Sequence, residues 1–363
     1  MTHKKLFIPG PVEVRPEILE AQAQWMIGHR GKDFETLYAR IQGNLQKVFF
    51  TTQRVFVCAS SGTGLWEGAA RNCVGENGVL ATVCGAFSER WADVFERNGK
   101  DVTVISVPEG KPITPKMVSD ALTARAASGK PPFDAIAIVH NETSCGLTNP
   151  LEDIVAVVKA QSPSTFILVD AVSSLAGVKI DFDGLGLDVL LTSSQKCFGL
   201  PPGLAMAAVS DRALEFAKGV KNRGYYFDFV ELEAFHKKNN TPATPAISLL
   251  FALDKQLQDM LAEGLDARYA RHAHLAQITH DWVEEMGFAL FPESGYASQT
   301  VSCVANTRNV DVSALNKFLG AKGLNISDGY GALKQKTFRI AHMADMQESD
   351  MRELFGAIGE FLK

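Results

Sequence analysis

The sequence predicts an α/β protein with a mostly parallel sheet between helix layers and a second, smaller α+β domain. Seven short apolar runs, rich in β-branched residues, alternate with helix-like stretches as far as about residue 210. Because these runs are apolar at successive positions, they indicate strands that are buried on both faces. After about residue 250 the pattern changes to a long helix-like segment followed by shorter strands and helices. A chain of 363 residues is also too long for one compact core and suits two domains.

The seven predicted strands of the first part are residues 55–58, 79–83, 102–105, 135–139, 166–169, 189–191 and 204–209. Helix patterns lie between them at residues 65–73, 88–98, 115–126 and 151–160. In the second part, strands are predicted at residues 288–291, 300–304 and 337–340, and helices at 312–322 and 349–362. Strand–helix alternation is typical of α/β proteins, whose functional groups gather at the carboxyl ends of the strands.

These patterns predict three parts of the chain. We expect an N-terminal arm over residues 1–16, a large domain over 17–250 and a small C-terminal domain over 251–363. A long helix at about 247–280 is expected to link the two domains.

The composition excludes several classes of protein. The net charge is −5 with both signs interspersed, so nothing predicts binding to nucleic acid or a membrane surface. No run approaches the roughly 18 apolar residues that span a bilayer, and the N-terminus lacks a signal-peptide pattern, so we expect a cytoplasmic protein. The six cysteines contain no CxxC pair, which predicts reduced core thiols and no metal site.

Lys196 is the first candidate for chemistry. It follows the predicted strand at 189–191, within Thr-Ser-Ser-Gln-Lys-Cys-Phe, and has no acidic neighbour close in sequence. A lysine enclosed by core strands loses solvation, which lowers its pKa. The neutral amine can then form a Schiff base with an aldehyde. Taken alone, the same pattern also fits a lysine at a strand end whose amine points to water.

Asp170 ends an earlier predicted strand and is therefore expected at the same edge of the sheet. Pyridoxal 5'-phosphate (PLP) needs a carboxylate that keeps its pyridine nitrogen protonated, and Asp170 suits that role. Val172 would then pack under the ring. The alternative is an aspartate that only caps a helix.

Two further segments follow strands. Ser60-Ser61-Gly62-Thr63-Gly64 lies between a strand and a helix, where backbone amides can approach an anion. It has neither the P-loop spacing nor GxGxxG, so it is a weak phosphate signal by itself. Phe87 lies just after the next strand, where it would stack on a flat ring or serve as a core aromatic.

Together these motifs resemble the class V aminotransferases of PLP fold type I, and within them the alanine–glyoxylate and serine–glyoxylate (serine–pyruvate) group. The resemblance extends over nearly the whole chain, and it depends on the order and spacing of motifs that are weak singly. These motifs are residues 9–11, 28–31, 61–63, 140–146, 169–170, 194–196, 241–245 and 338–340.

The resemblance implies a role for each candidate residue. Lys196 would bind the cofactor and carry the proton, Asp170 would pair with the pyridine nitrogen, and Arg339 would bind the substrate α-carboxylate. The remaining cofactor contacts implied are Val172 and Phe87 at the ring, Thr143 at the phenolate oxygen, Ser61, Gly62, Thr63 and Gln195 at the phosphate, and Thr241 and Thr244 at the phosphate of the neighbouring subunit.

The resemblance also implies the reaction. We expect ping-pong transfer of an amino group from alanine or serine to glyoxylate or pyruvate by a homodimer with active sites at the interface. The alternatives are an aspartate, ureidoglycine or aminoethylphosphonate donor, a PLP lyase, or a nicotinamide-dependent dehydrogenase, which the missing GxGxxG disfavours. Cysteine desulfurases and related lyases have a His over the cofactor ring, so Phe87 disfavours the lyase alternative. Asn239 and Asn240 replace the expected Tyr, which weakens the assignment of the two threonines.

Overall fold

Two β-sheets organise the chain, and helices pack on their faces. The computed structural model describes residues 3–363. The strands are β1 (Lys5–Phe7), β2 (Arg54–Ser60), β3 (Val79–Val83), β4 (Val102–Ser106), β5 (Ala135–Val139), β6 (Asn141–Glu142), β7 (Leu147–Thr148), β8 (Phe166–Asp170), β9 (Val189–Ser193), β10 (Gly203–Val209), β11 (Ala289–Leu290), β12 (Val301–Ala305), β13 (Leu324–Asp328) and β14 (Thr337–Ala341).

The helices are α1 (Pro16–Glu20), α2 (Lys32–Phe49), α3 (Gly62–Cys73), α4 (Ala86–Arg97), α5 (Pro115–Ala127), α6 (Leu151–Gln161), α7 (Phe182–Leu185), α8 (Asp211–Gly219), α9 (Phe229–His236), α10 (Ile247–Glu263), α11 (Leu265–Glu285), α12 (Val312–Ala321) and α13 (Glu348–Phe361). A short 3-10 helix spans Gly331–Leu333. None of the helices in the described part of the chain is both long and apolar enough to cross a bilayer.

The larger sheet has seven strands in the order β2-β10-β9-β8-β5-β3-β4. Neighbours run parallel except at β10, which is antiparallel to both β2 and β9. The predicted mostly parallel, seven-stranded α/β sheet is therefore confirmed. The expected burial on both faces is wrong for β4, where Val104 is 46% exposed, because β4 lies at the sheet edge.

The apolar pattern of the strands follows from their two helix layers. In β5, Ile136 and Ile138 pack into one core, and Ala135 and Ala137 pack into the core on the opposite face. Successive side chains of a strand point to opposite faces, so a doubly covered strand is apolar throughout. All six cysteines are buried and free, as predicted.

The smaller sheet has the order β1-β13-β14-β12-β11. β1 is parallel to β13, and the other neighbours are antiparallel. The predicted N-terminal arm thus contributes a strand to this sheet. The division into an arm and two domains stays a prediction.

The single long helix expected at about 247–280 is wrong. Two helices, α10 and α11, meet at Gly264, whose φ is +87°. Glycine adopts this left-handed backbone without the steric penalty that other residues pay, so it separates two segments whose sequences both favour helix.

The sheet register places the candidate chemistry together. Val139 of β5 pairs with Asp170 of β8, which pairs with Leu191 of β9. The segments that leave these three strands therefore begin side by side at one edge of the sheet, where ligands of open α/β sheets bind.

Candidate active site

A cavity of about 350 Å³ opens at this edge of the sheet. It contains most of the residues that the sequence singles out, although they come from five separate segments of the chain. The predicted residues that line it are Ser61, Gly62, Thr63, Phe87, Thr143, Asp170, Val172, Gln195 and Lys196. Arg339, Thr241 and Thr244 do not line it.

Lys196 lies in the turn after β9, and its amine donates a hydrogen bond to the carbonyl oxygen of Pro9. The φ of Gly10 is +130°, and a Cβ there would lie 2.7 Å from the Lys196 Nζ atom, so a larger residue would strain the backbone and displace the lysine. Burial, helped by the positive charge of Arg339, lowers the pKa of the Lys196 amine to about 8. The amine is therefore partly neutral near neutral pH, as nucleophilic attack on an aldehyde requires.

Asp170 is the last residue of β8, and its carboxylate is buried and hydrogen-bonded. Its Oδ1 atom accepts a 2.7 Å bond from the backbone N–H of Val172, and its Oδ2 atom accepts a 2.9 Å bond from the indole N–H of Trp66. Burial raises the pKa of Asp170 to about 7, although both hydrogen bonds oppose the rise. Such a group can share a proton with a basic ring nitrogen.

Trp66 was missed by sequence reasoning. It lies on α3, one turn after the Ser61–Thr63 turn, and its ring stacks on Trp91 with the centroids 6.1 Å apart. A tryptophan on the apolar face of a helix gives no sign of its acceptor, because that acceptor is 104 positions away in the chain.

The beginning of α3 suits an anion. The helix starts at Gly62, and its N-cap residue, Ser61, makes no side-chain capping bond, which leaves backbone N–H groups for a ligand. Nearby, the Ser193 Oγ and Gln195 Oε1 atoms are buried without a hydrogen-bond partner in residues 3–363, although both residues line the cavity. Buried polar atoms are nearly always satisfied, so these atoms and the open helix end fit a phosphate group.

Phe87 is fixed by a buried carboxylate that the sequence did not reveal. Glu142 is fully buried, and its oxygens accept bonds from the backbone N–H groups of Phe87 (3.3 Å) and Ser88 (2.9 Å) at the beginning of α4. Ser144 also donates to Glu142, over 2.7 Å. Glu142 directly precedes Thr143, so it links the backbone at two candidate cofactor contacts.

Thr143 lies on the cavity wall, where its hydroxyl donates to Ser173 Oγ over 2.8 Å. Asn141 also donates to Ser173 Oγ, and both of these residues line the cavity. The wall beside the predicted phenolate position is thus a connected polar network, of which the sequence indicated only one member.

Arg339 lies on β14 behind the cavity wall. Its guanidinium donates to the carbonyl oxygens of Thr143 (3.2 Å) and Asp328 (3.3 Å), and it lies 5.4 Å from the centre of the Tyr330 ring. No carboxylate within residues 3–363 forms an ion pair with it, and burial lowers its pKa. A buried guanidinium with only weak carbonyl partners is a natural receptor for an added carboxylate.

Thr241 and Thr244 lie away from the cavity. They line a separate small pocket, and Thr241 Oγ1 donates to a backbone carbonyl within its own segment. Arg30 holds this segment through bonds to Asn240 Oδ1 (2.7 Å) and the Pro242 carbonyl (3.0 Å). Within one chain, these threonines are not brought to Lys196.

Comparisons with known proteins identify the family of this chain. The model of the family described as aminotransferase class-V matches residues 17–353. The chain belongs to this family. An uncharacterized aminotransferase of Methanocaldococcus jannaschii is 34% identical, with 99% of this chain and 93% of that protein covered. A serine–glyoxylate aminotransferase of Methylorubrum extorquens is 31% identical, with 97% of this chain and 89% of that protein covered.

A solved structure of an alanine–glyoxylate aminotransferase from Nostoc sp. is also similar. It has a TM-score of 0.92 and 29% identity, with 100% of this chain and 96% of that chain covered. Family and fold together make the protein a class V transaminase of PLP fold type I, with PLP as its cofactor. These predictions are confirmed.

Proposed function

We propose that this class V aminotransferase moves an amino group from alanine or serine to glyoxylate or pyruvate by a ping-pong mechanism. One observation carries the proposal: the amine of Lys196 and the carboxyl of Asp170 share one cavity, behind whose wall the guanidinium of Arg339 lies without an ion-pair partner among residues 3–363. A 2-amino acid or 2-oxo acid presents a reacting centre and a carboxylate, which match the lysine and the arginine.

Each residue has a role in this proposal. When bound, PLP supplies an electron sink for the electrons left by the departing Cα proton. Lys196 takes that proton, because its pKa, lowered to about 8, leaves part of the amine neutral at working pH. Asp170 keeps a proton on the pyridine nitrogen, and Arg339 orients the carboxylate.

The remaining predicted contacts hold the cofactor. In the proposal, Phe87 and Val172 would hold the ring, and Thr143 would hold its phenolate oxygen. The phosphate lies at the open end of α3, with contacts from Ser61, Gly62, Thr63 and Gln195.

The proposed acceptor and donor are based on the similarity of this chain to other aminotransferases. The Methylorubrum relative and the Nostoc structure both carry glyoxylate in their names, with serine and alanine respectively. These names support small substrates for this chain. We also propose a cytoplasmic location, as the sequence predicts.

We further propose a homodimer in which Thr241 and Thr244 bind the phosphate in the partner's site. Large apolar side chains are exposed on one chain: Trp25 is 95% exposed and Tyr225 is 90% exposed. Exposed aromatic residues of this kind favour contact with a second protein surface. The threonines, which lie outside the cavity of their own chain, are then free to serve another cavity.

The first experiment tests the chemistry. Protein loaded with PLP is reduced with borohydride and digested, and the modified peptide is identified by mass spectrometry. We expect the label at Lys196, and we expect Lys196→Ala to lose both label and turnover, whereas Lys179→Ala keeps both. A label on another lysine contradicts the assignment.

The second experiment tests the substrates. Loaded enzyme is mixed with single amino acids, and the absorption change of the cofactor is followed without an acceptor. Alanine or serine should convert the cofactor to its amino form, and glyoxylate or pyruvate should restore it. A panel in which aspartate, ureidoglycine or aminoethylphosphonate is much faster contradicts the substrate choice but leaves the family unchanged.

Subunit complementation tests the dimer. Lys196→Ala and Thr241→Ala/Thr244→Ala are each expected to have low activity. A mixed dimer contains one site with both the lysine and the partner threonines intact, so activity should reappear after subunit exchange. Failure to recover activity in proven mixed dimers contradicts the cross-subunit phosphate contact.

A further inference from the structure

Tyr330 forms part of the cavity wall, although no proposed step uses it. It lies in the loop between β13 and β14, and it is partly buried. The centre of its ring is 5.1 Å from that of Phe87, with 35° between the ring planes. The Arg339 guanidinium carbon lies 5.4 Å from the centre of the same ring. One aromatic ring therefore contacts both the proposed cofactor-stacking residue and the proposed carboxylate receptor.

The hydroxyl of Tyr330 is held from a different part of the molecule. Arg90, on α4, donates a 2.6 Å hydrogen bond from Nη2 to the Tyr330 Oη atom. The Arg90 guanidinium carbon also lies 5.4 Å from the centre of the Phe87 ring, on the same helix. A loop of the smaller sheet is thus joined to a helix of the larger sheet at the cavity wall, and the orientation of the ring is set at both ends.

This position bears on substrate choice. Arg339 does not line the cavity itself, whereas Tyr330 and Thr143, which it contacts, both do. In the proposed function, the carboxylate of the substrate reaches Arg339 while its reacting carbon faces Lys196. With Phe87 occupied by the cofactor ring, this arrangement directs the side chain towards the part of the wall that the Tyr330 ring forms.

We infer that Tyr330 is a specificity-determining residue that restricts the amino donor to short side chains, and that Arg90 is its positioning residue. This inference rests on the proposed function. A fixed aromatic wall excludes added methylene groups by steric overlap, and one methylene typically changes discrimination about 10-fold to 200-fold in such pockets. Losing the hydroxyl tether leaves the ring in place but lets it tilt.

Binding of unreactive conjugates tests the inference without turnover. Phosphopyridoxyl conjugates of L-alanine, L-2-aminobutyrate and L-norvaline differ only in side-chain length. Their affinities for the apoenzyme are measured by calorimetry for the wild type, Tyr330→Ala, Tyr330→Phe and Arg90→Met. Tyr296→Phe serves as a matched control, because Tyr296 lies in another loop and does not line the cavity.

We expect the wild type to bind the alanine conjugate at least about 10-fold more tightly than the norvaline conjugate. Tyr330→Ala should remove most of this preference, and Tyr296→Phe should retain it. Tyr330→Phe and Arg90→Met should each reduce the preference about two- to fivefold. The double variant should do no more than either single one, because both changes break the same bond.

The outcomes separate the inference from the proposed function. If the wild type binds none of the conjugates, the proposed function fails. If the wild type prefers the alanine conjugate but Tyr330→Ala keeps that preference, only the role of Tyr330 fails. Additive effects of Tyr330→Phe and Arg90→Met overturn the role of Arg90. If Tyr330→Ala does not fold, Tyr330→Leu replaces it, with the same expectation.

Discussion

The indole N–H of Trp66 donates to the Oδ2 atom of Asp170 over 2.9 Å, inside the core. Asp170 is 4% exposed, so few other groups can stabilise its charged form. Together with the backbone N–H of Val172, this bond therefore orients the carboxylate and opposes the rise in its pKa that burial causes. Trp66 of α3 thus influences the orientation and the pKa of Asp170, the residue proposed to pair with the pyridine nitrogen.

Trp66→Phe should lower the affinity for PLP about 10-fold or more, because a hydrogen bond to a charged group contributes about 1.5–3 kcal/mol. Titration of the apoenzyme with PLP measures this. Trp91→Phe is the matched control. It makes the same change of side chain, but the Trp91 indole N–H is buried without a hydrogen-bond partner in the described chain, so no such bond is lost. Equal losses in both variants would assign the effect to packing alone.

The pH dependence of cofactor attachment follows from Lys196. Burial, with the charge of Arg339, lowers the pKa of this amine from 10.5 to about 8. Its neutral fraction should thus rise about 10-fold between pH 7 and pH 9, and the attachment rate, followed by stopped-flow absorption, should rise with it. Arg339→Gln removes the nearby positive charge, so the pH at which the attachment rate is half-maximal should increase. A midpoint near 10.5 in the wild type would be incompatible with the buried amine.

Glu142→Ala should destabilise the apoenzyme by about 3 kcal/mol, because it leaves buried N–H and O–H donors of α4 and its neighbours without an acceptor. Urea unfolding measures the free-energy change. Ser144→Ala, which removes one of the donors, should cost only about 1 kcal/mol. The circular dichroism of the bound cofactor should also change in Glu142→Ala, since the backbone of Phe87 is released. An unaltered cofactor signal would limit Glu142 to folding.

A buried ion-pair network joins the smaller sheet to the turn that carries Lys196. Arg268 is 1% exposed and donates to Asp345 Oδ1 (2.8 Å) and to the carbonyl oxygen of Cys197 (2.8 Å). Asp345→Asn should destabilise the fold by about 3 kcal/mol, because the buried Arg268 then keeps only the partly exposed Glu263, at 3.0 Å, as a carboxylate partner. Asp259→Asn is the matched control; its carboxylate is 28% exposed and should cost under about 1 kcal/mol.

The same network predicts an acid limb of stability. Burial alone would raise the pKa of Asp345, but the charges and hydrogen bonds of Arg268 and Arg15 outweigh it and lower this pKa from 3.8 to about 2. The stabilisation is therefore complete above pH 3.8 and is lost as the pH falls towards 2. As the pH is lowered between these values, the midpoint temperature of thermal unfolding should fall less steeply in Asp345→Asn than in the wild type. Parallel curves would contradict this source of acid sensitivity.

The site candidates that the sequence predicted by their position share one property: each ends or directly follows a strand, or begins a helix. Lys196 and Asp170 follow two parallel strands, so the edge of the sheet at which they meet is set by chain direction alone. Ser61 to Thr63 lie at a strand–helix turn for the same reason. Arg339 was found differently, by its place in a motif, and the pattern gave no sign that Tyr330 stands between it and the cavity.

The sequence was enough to establish the sheet class and to predict that Lys196, Asp170 and the Ser61–Thr63 turn lie at one edge of the sheet, because local periodicity and chain direction fix which residues emerge there. It predicted one long helix where Gly264 separates two, because the segments on both sides favour helix and only the positive φ of this glycine divides them. Tertiary structure alone decided the partners: Trp66 for Asp170, Glu142 for Phe87, and Arg90 for Tyr330. These hydrogen bonds join groups 55 to 240 positions apart, and no local sequence pattern predicts a contact that only packing brings about.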